Sequence, residues 1–192
     1  MDRQVLSLTW KDFIAPEFHW SDNDYGTITA FFSIFGGYLP KYFVEKKGMH
    51  PYAGRMLAML IFAFFPLLAL FAQPMGQFSA WWPAIIIGLA GAGHQAWSAN
   101  LFSTIGDMFP KSAIATITGI GGMAGGISSF MINKGAGMLF TYSEKAGAAF
   151  SFIGFEGKEA GYMIVFCICA VAYMIAWAVM KALVPRYRKI EE

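Results

Sequence analysis

Two long apolar arms joined by a short turn constrain this chain more than any other feature. The segments AWWPAIIIGLAGAGHQAWSANLFSTIGDMF and SAIATITGIGGMAGGISSFMINKGAGMLFTY carry it from Trp81 to Tyr142 and meet at Met108-Phe109-Pro110-Lys111. Each arm exceeds the roughly 20 apolar residues that a helix needs to cross about 30 Å of hydrocarbon. The pair reads as a transmembrane hairpin. Yet His94, Gln95, Ser98 and Asn100 lie inside the first arm, and Ser128, Ser129, Asn133 and Lys134 inside the second. Polar groups in lipid cost free energy unless they face protein or water, so these side chains are expected to face a shared aqueous cleft within a bundle.

The rest of the chain repeats the pattern. Apolar blocks cover Tyr25 to Val44, interrupted by Pro40 and Lys41, then Met56 to Ala72 and Gly161 to Val184. With the two central arms they make about five candidate spans. A composition that is 57% hydrophobic and 14% charged lies outside the soluble class, and the fold class expected is an all-α, multi-spanning membrane helix bundle. Residues 1–24 are expected to form an external N-terminal segment, too polar to span and without the pattern of a signal peptide. Residues 25–192 form the membrane domain. Pro66 predicts a kink in the second span, and Trp81 and Trp82 predict an interfacial anchor at the start of the first arm. The stretch from Ser143 to Ala160 reads as an external loop, with Trp177 and the basic tail closing the last span at the cytoplasmic interface.

Orientation follows from Lys and Arg on alternate sides. Lys41, Lys46, Lys47, Arg55, Lys111, Lys181, Arg186, Arg188 and Lys189 lie on one side, and only Arg3, Lys11, Lys145 and Lys158 on the other. That asymmetry places the C-terminal tail in the cytoplasm and the N-terminus outside. A formal charge of +2 gives no reason to expect nucleic acid as a partner. Cys167 and Cys169 are two apart on one helix, point to different sides and cannot bridge each other.

On the first arm, successive residues turn by about 100°, so Trp97, His94, Ser98 and Gln95 fall within an arc of roughly 160°. That face offers an aromatic plate, a titratable imidazole, a hydroxyl and an amide. Two readings stand: a binding face for a hydroxylated, anionic small molecule, with His94 as the proton-coupling group, or polar glue between neighbouring helices. Asn100, Thr104 and Asp107 make a separate line, with Asp107 expected to cap the helix or pair with Lys111. Lys134 is costly at mid-bilayer, about 2.5 to 3.5 kcal/mol on insertion scales. It either snorkels to the external end or, with Asn133 beside it, supplies a counter-charge for an acidic substrate.

The run Gly119-Ile-Gly-Gly-Met-Ala-Gly-Gly126 matches the dinucleotide fingerprint but lies within a spanning segment, not between a strand and a helix. As a helix it forms two ladders of small residues, Thr118, Gly122 and Gly126, and Gly121 and Gly125. Such ladders let helix backbones approach closely or slide. No H-E-x-x-H, G-x-S-x-G or G-K-[ST] pattern is present, and His19, His50 and His94 are too scattered for a metal site. The sequence predicts neither an enzyme nor a cofactor.

The segment Gly93 to Lys111, GHQAWSANLFSTIGDMFPK, followed by Ile117 to Gly126, ITGIGGMAGG, closely resembles helices ten and eleven of hexuronate transporters. These form part of the anion:cation symporter branch of the major facilitator superfamily. Gly36-Gly-Tyr-Leu-Pro-Lys41, Lys46-Lys-Gly48 and Gly54-Arg55 resemble the basic cytoplasmic loop between helices eight and nine. The resemblance runs from about Ser33 to the end, as helices eight to twelve. Asp2-Arg-Gln-Val-Leu-Ser7 is similar to the aspartate-arginine motif late in helix one, and Trp20-Ser-Asp-Asn-Asp-Tyr-Gly26 to the external loop leading into helix two.

The resemblance implies an internally deleted member, with proton-coupled uptake of a sugar acid across the bacterial inner membrane by alternating access. It implies that Arg3 binds the substrate carboxylate and Asp2 takes part in proton coupling. Gln95, Trp97, Ser98, Asn100, Asn133 and Lys134 complete the expected substrate site, His94 joins Asp2 in proton coupling, and Gly121, Gly122, Gly125 and Gly126 are the expected packing glycines. The implied partners are the lipid bilayer, a small anionic sugar acid, protons and a second chain supplying the missing half. The alternative is a non-transporting membrane remnant or a helix-packing partner of another transporter.

Overall fold

The computed structural model describes residues 36–79 and 81–190, apart from the side chain of Ala84. The expected external segment of residues 1–24, Asp2 and Arg3 within it, and the start of the first span lie outside the described residues. Residues 36–47 are helical and form α1. Helix α2 runs Pro51–Ala63, a 3-10 segment Pro66–Phe71, and α3 Ala72–Gly76. The two longest apolar arms become α4, Trp81–Met108, and α5, Lys111–Ala146. A small antiparallel hairpin, β1 Ser151–Phe152 and β2 Phe155–Glu156, leads into α6, Gly157–Leu183.

Among the described residues, three stretches are long and apolar enough to cross a membrane: Pro51–Gly76, Lys111–Ala149 and Gly157–Leu183. Of the five expected spans, the second, the second central arm and the last meet the length and apolarity of a spanning helix. Helix α4 has the length, 28 residues, but not the apolarity, because His94, Gln95, Ser98 and Asn100 interrupt it. Of the first expected span, Tyr25 to Val44, only the part from Gly36 onward lies within the described residues.

Proline chemistry sets the breaks. Pro51 occupies the first turn of α2, where a missing N–H costs nothing, and the His50 imidazole caps that turn by accepting from the Tyr52 N–H at 3.3 Å. Pro66 cannot donate to the carbonyl four residues back, and the chain answers with i to i+3 bonds: Phe64 N–H to Ile61 O and Phe65 N–H to Phe62 O, both 3.2 Å. The expected kink in the second span is thus a 3-10 insertion. Pro110 likewise separates α4 from α5 at the expected turn.

The helices run alternately up and down. The loop at residues 48–50, the turn at Phe109-Pro110 and the tail after Leu183 share one end, tied by Tyr187 Oη donating to Asp107 O at 3.1 Å and Ile190 N–H to Met108 O at 2.9 Å. The other end holds the turn after α3 and the hairpin, joined by Gln73 Nε2 donating to Glu159 O at 2.9 Å. Burial of apolar side chains supplies the cohesion among the central helices. Ala69, Ala72, Ile86, Ile87, Ala90 and Phe166 pack together towards the hairpin end. Tyr52, Met56, Met59 and Met108 pack towards the tail end, with Trp97 and Trp177 against them. Trp177 is half-buried at the tail end, its indole N–H donating to Met56 O at 2.9 Å and tying α6 to α2.

Close backbone approach happens at glycines other than the ladder. A Cβ on Gly36 would lie 2.5 Å from the Ala96 Cα, one on Gly93 2.5 Å from the Phe65 Cβ, and one on Gly161 2.7 Å from the Ser143 Oγ. These positions let α1 and α2 press on α4, and α6 on α5. Helix α5 has only Ala136 and Ser143 buried, both in its C-terminal third against α6.

Candidate functional site

The sequence of α4 gives it two unlike sides. Gly93, Ala96 and Asn100 project towards α1 and α2, where the absence of large side chains permits tight packing. Gln95 and Ser98 lie about 200° around the helix from Gly93 and Ala96 respectively. His94 and Trp97 fall at the border, towards α6.

Asn100 is 2% exposed and its Nδ2 donates to Gly36 O at 2.9 Å and to Ala96 O at 2.8 Å. Thr104 is buried beside it and donates back to Asn100 O at 2.8 Å. Asn100 thus clamps α1 onto α4, satisfying the polar demand that burial creates.

The border residues meet a group the sequence reading passed over. Tyr173, buried in α6, hydrogen-bonds through its hydroxyl to His94 Nδ1, and its ring meets Trp97 edge-on at 5.5 Å. The hydroxyl fixes which way the imidazole ring turns. The Trp97 indole N–H is sealed from solvent with no acceptor among the described residues. A phenol in the middle of the apolar run GYMIVFCICAVAYMIAWAV, eleven residues after the Tyr162 at its start, was the available signal for Tyr173.

Gln95 and Ser98 are half-buried and make no side-chain hydrogen bond among the described residues. Their donors and acceptors remain open on the side of α4 that also carries the half-exposed Phe102. Helix α5 contributes differently. Asn133 is half-buried; Lys134 is exposed, its ammonium 5.8 Å from the Phe130 ring one turn earlier. The structure therefore gathers His94 and Trp97 around Tyr173, assigns Asn100 to the α1 contact, and leaves Lys134 with a neighbour on its own helix. A Cβ built at Gly121, Gly122, Gly125 or Gly126 meets nothing within 4 Å, so the ladder faces no described element.

At the tail end, Asp107 pairs with Arg55 of α2 at 2.9 Å and not with Lys111, its expected partner. The ion pair ties α2 to α4 where both leave the bundle. Among the described residues no cluster of His, Cys, Asp or Glu has the makings of a metal site.

The class defined by these features is a helical bundle with, among the described residues, three stretches of membrane-spanning length and apolarity. Comparison with family models, curated proteins and solved structures finds no match to this chain.

Proposed function

We propose that this chain is a relative of the hexuronate transporters in the anion:cation symporter branch of the major facilitator superfamily, with about five spans retained. In this reading it resides in the bacterial inner membrane with its C-terminus in the cytoplasm, and it moves a sugar acid with protons. The observation that supports the reading is the polar band of α4. Gln95 and Ser98 keep accessible hydrogen-bonding groups beside the His94–Tyr173 pair, in a helix otherwise built for a membrane. A hydroxylated anion is the chemistry such a band suits: amide and hydroxyl groups for its hydroxyls, an aromatic plate for its ring face, an imidazole to exchange a proton.

Uptake of glucuronate or galacturonate into proteoliposomes under an imposed pH gradient tests it. Accumulation that is lost on Gln95→Ala or Asn133→Ala supports transport by this chain. Absence of uptake by the chain alone rejects it.

A second reading is favoured by one observation: the glycine ladder of α5 faces no described element. In it the chain is a non-transporting remnant, or a packing partner whose transport needs a second chain to supply the opposing half. Uptake that appears only on co-reconstitution with such a chain selects this reading.

A further inference from the structure

We infer that the end of the bundle carrying the C-terminal tail is a docking surface for the headgroup phosphates of anionic phospholipids. The inference starts from what the tail does after Leu183. It folds back across the end of the bundle instead of leaving it. The Tyr52 hydroxyl donates to Val184 O, Lys181 Nζ to Pro185 O at 2.9 Å, Tyr187 Oη to Asp107 O at 3.1 Å, and Ile190 N–H to Met108 O at 2.9 Å. The His50 ring lies 4.8 Å from that of Tyr187 and adds a stacking contact. Residues 184–190 are thus pinned at several points along their length.

Between these pins Arg186, Arg188 and Lys189 are exposed. The same end brings the exposed Lys111, at the first residue of α5, and Lys46 and Lys47, at the end of α1. Acidic neighbours do not neutralise them. Glu45 pairs with Lys41 at 3.7 Å and Asp107 with Arg55 at 2.9 Å, and none of the six exposed cations is ion-paired among the described residues. Glu191 and Glu192 follow the tail outside the described residues and offset only part of the charge.

Like charges held on one surface repel unless a counter-anion joins them. The tail could have spread this charge into water; its hydrogen bonds hold it in place. The surface lies where α2 begins and where α4 and α6 end, so the boundary of the acyl layer falls beside it. The anions at that depth are lipid phosphates, and arginine's planar fork suits their paired oxygens. Among the described residues the other end of the bundle offers no equivalent: Lys158 is paired with Glu144 at 3.4 Å, and Lys145 follows Glu144 in sequence. The inference rests on the chain lying in a bilayer, and not on what it carries across.

The test uses the full chain in detergent micelles with added lipid, read by native mass spectrometry as retained phosphatidylglycerol and phosphatidylcholine. Substituting Arg186→Gln, Arg188→Gln and Lys189→Gln together is expected to weaken phosphatidylglycerol retention about fivefold for each charge removed, leaving phosphatidylcholine unchanged. Lys145→Gln with Lys158→Gln, at the opposite end, is expected to leave both unchanged. Millimolar inorganic phosphate is expected not to displace the retained lipid. Equal retention by the triple variant overturns the inference, as does an equal loss in the opposite-end pair. Displacement by inorganic phosphate also overturns it, since that marks a small-anion site instead of a lipid surface.

Discussion

His94 of α4 and Tyr173 of α6 are joined by a hydrogen bond across 79 residues of chain, and Trp97 closes on the same phenol ring at right angles, 5.5 Å between centroids. Two helices with mostly apolar contacts are thereby held in one rotational setting. Breaking either partner leaves a polar group inside the bundle. Tyr173→Phe and His94→Ala are expected to be non-additive in a double-mutant cycle, with a coupling of about 1 kcal/mol, in line with hydrogen bonds measured between spanning helices. Unfolding of the purified chain in mixed micelles provides the measurement. Strict additivity would show that the contact contributes nothing.

The Arg55–Asp107 pair gives a second prediction. Its side chains are 25% and 39% exposed, so water and salt screen it partly. Arg55→Gln and Asp107→Asn should couple by about 1 kcal/mol at low ionic strength, less in high salt. Lys111→Gln should leave stability unchanged, since Asp107 turns to α2 and not to its neighbour in sequence. A larger effect from Lys111 than from Arg55 would refute the pairing.

Glycines separate into two groups with opposite expected signs. Gly36→Ala and Gly93→Ala place a Cβ 2.5 Å from Ala96 Cα and Phe65 Cβ, overpacking that should destabilise by about 1–3 kcal/mol. Gly121→Ala and Gly125→Ala enter open space and should stabilise α5 by about 0.5–1 kcal/mol through reduced backbone entropy in the unfolded chain. Thermal midpoints of the four variants decide the matter. Destabilisation at Gly121 or Gly125 would mean that another surface already covers that face.

Orientation is open to chemical labelling. Lys111→Cys and Lys145→Cys lie at opposite ends of α5, and the native cysteines are half-buried and buried within α6. A membrane-impermeant maleimide should modify position 145 in intact cells and position 111 only after permeabilisation. Equal labelling of both from one side would defeat the alternating arrangement.

Sequence carried the breaks well, because proline acts locally. Pro110 ends one arm, and Pro66 turns the second span into a 3-10 insertion whatever packs around it. The polar band of α4 was equally visible, since four polar side chains in an apolar run stand out without any partner being known. Partnerships were another matter. Asp107 has Lys111 four residues away and Arg55 far off in sequence, and only packing of α2 against α4 decides for Arg55. Glycine ladders mark where close approach is permitted, whereas Gly36, Gly93 and Gly161 show where neighbouring backbones and side chains use it. The first central arm falls short of a spanning helix for a related reason. Length was read from block boundaries, while the apolarity of α4 is lowered by the very residues that make it a candidate site.

Helix α5 is 36 residues long and so measures about 54 Å from end to end. An acyl layer of about 30 Å cannot contain it, even with the slant usual for such helices. If α5 crosses a bilayer, its terminal turns stand in the hydrated headgroup zone, where Lys111 at one extreme and Glu144 and Lys145 at the other find water. In that setting the small hairpin that follows would be carried clear of the leaflet, as a knob raised above the surface on the end of a rod.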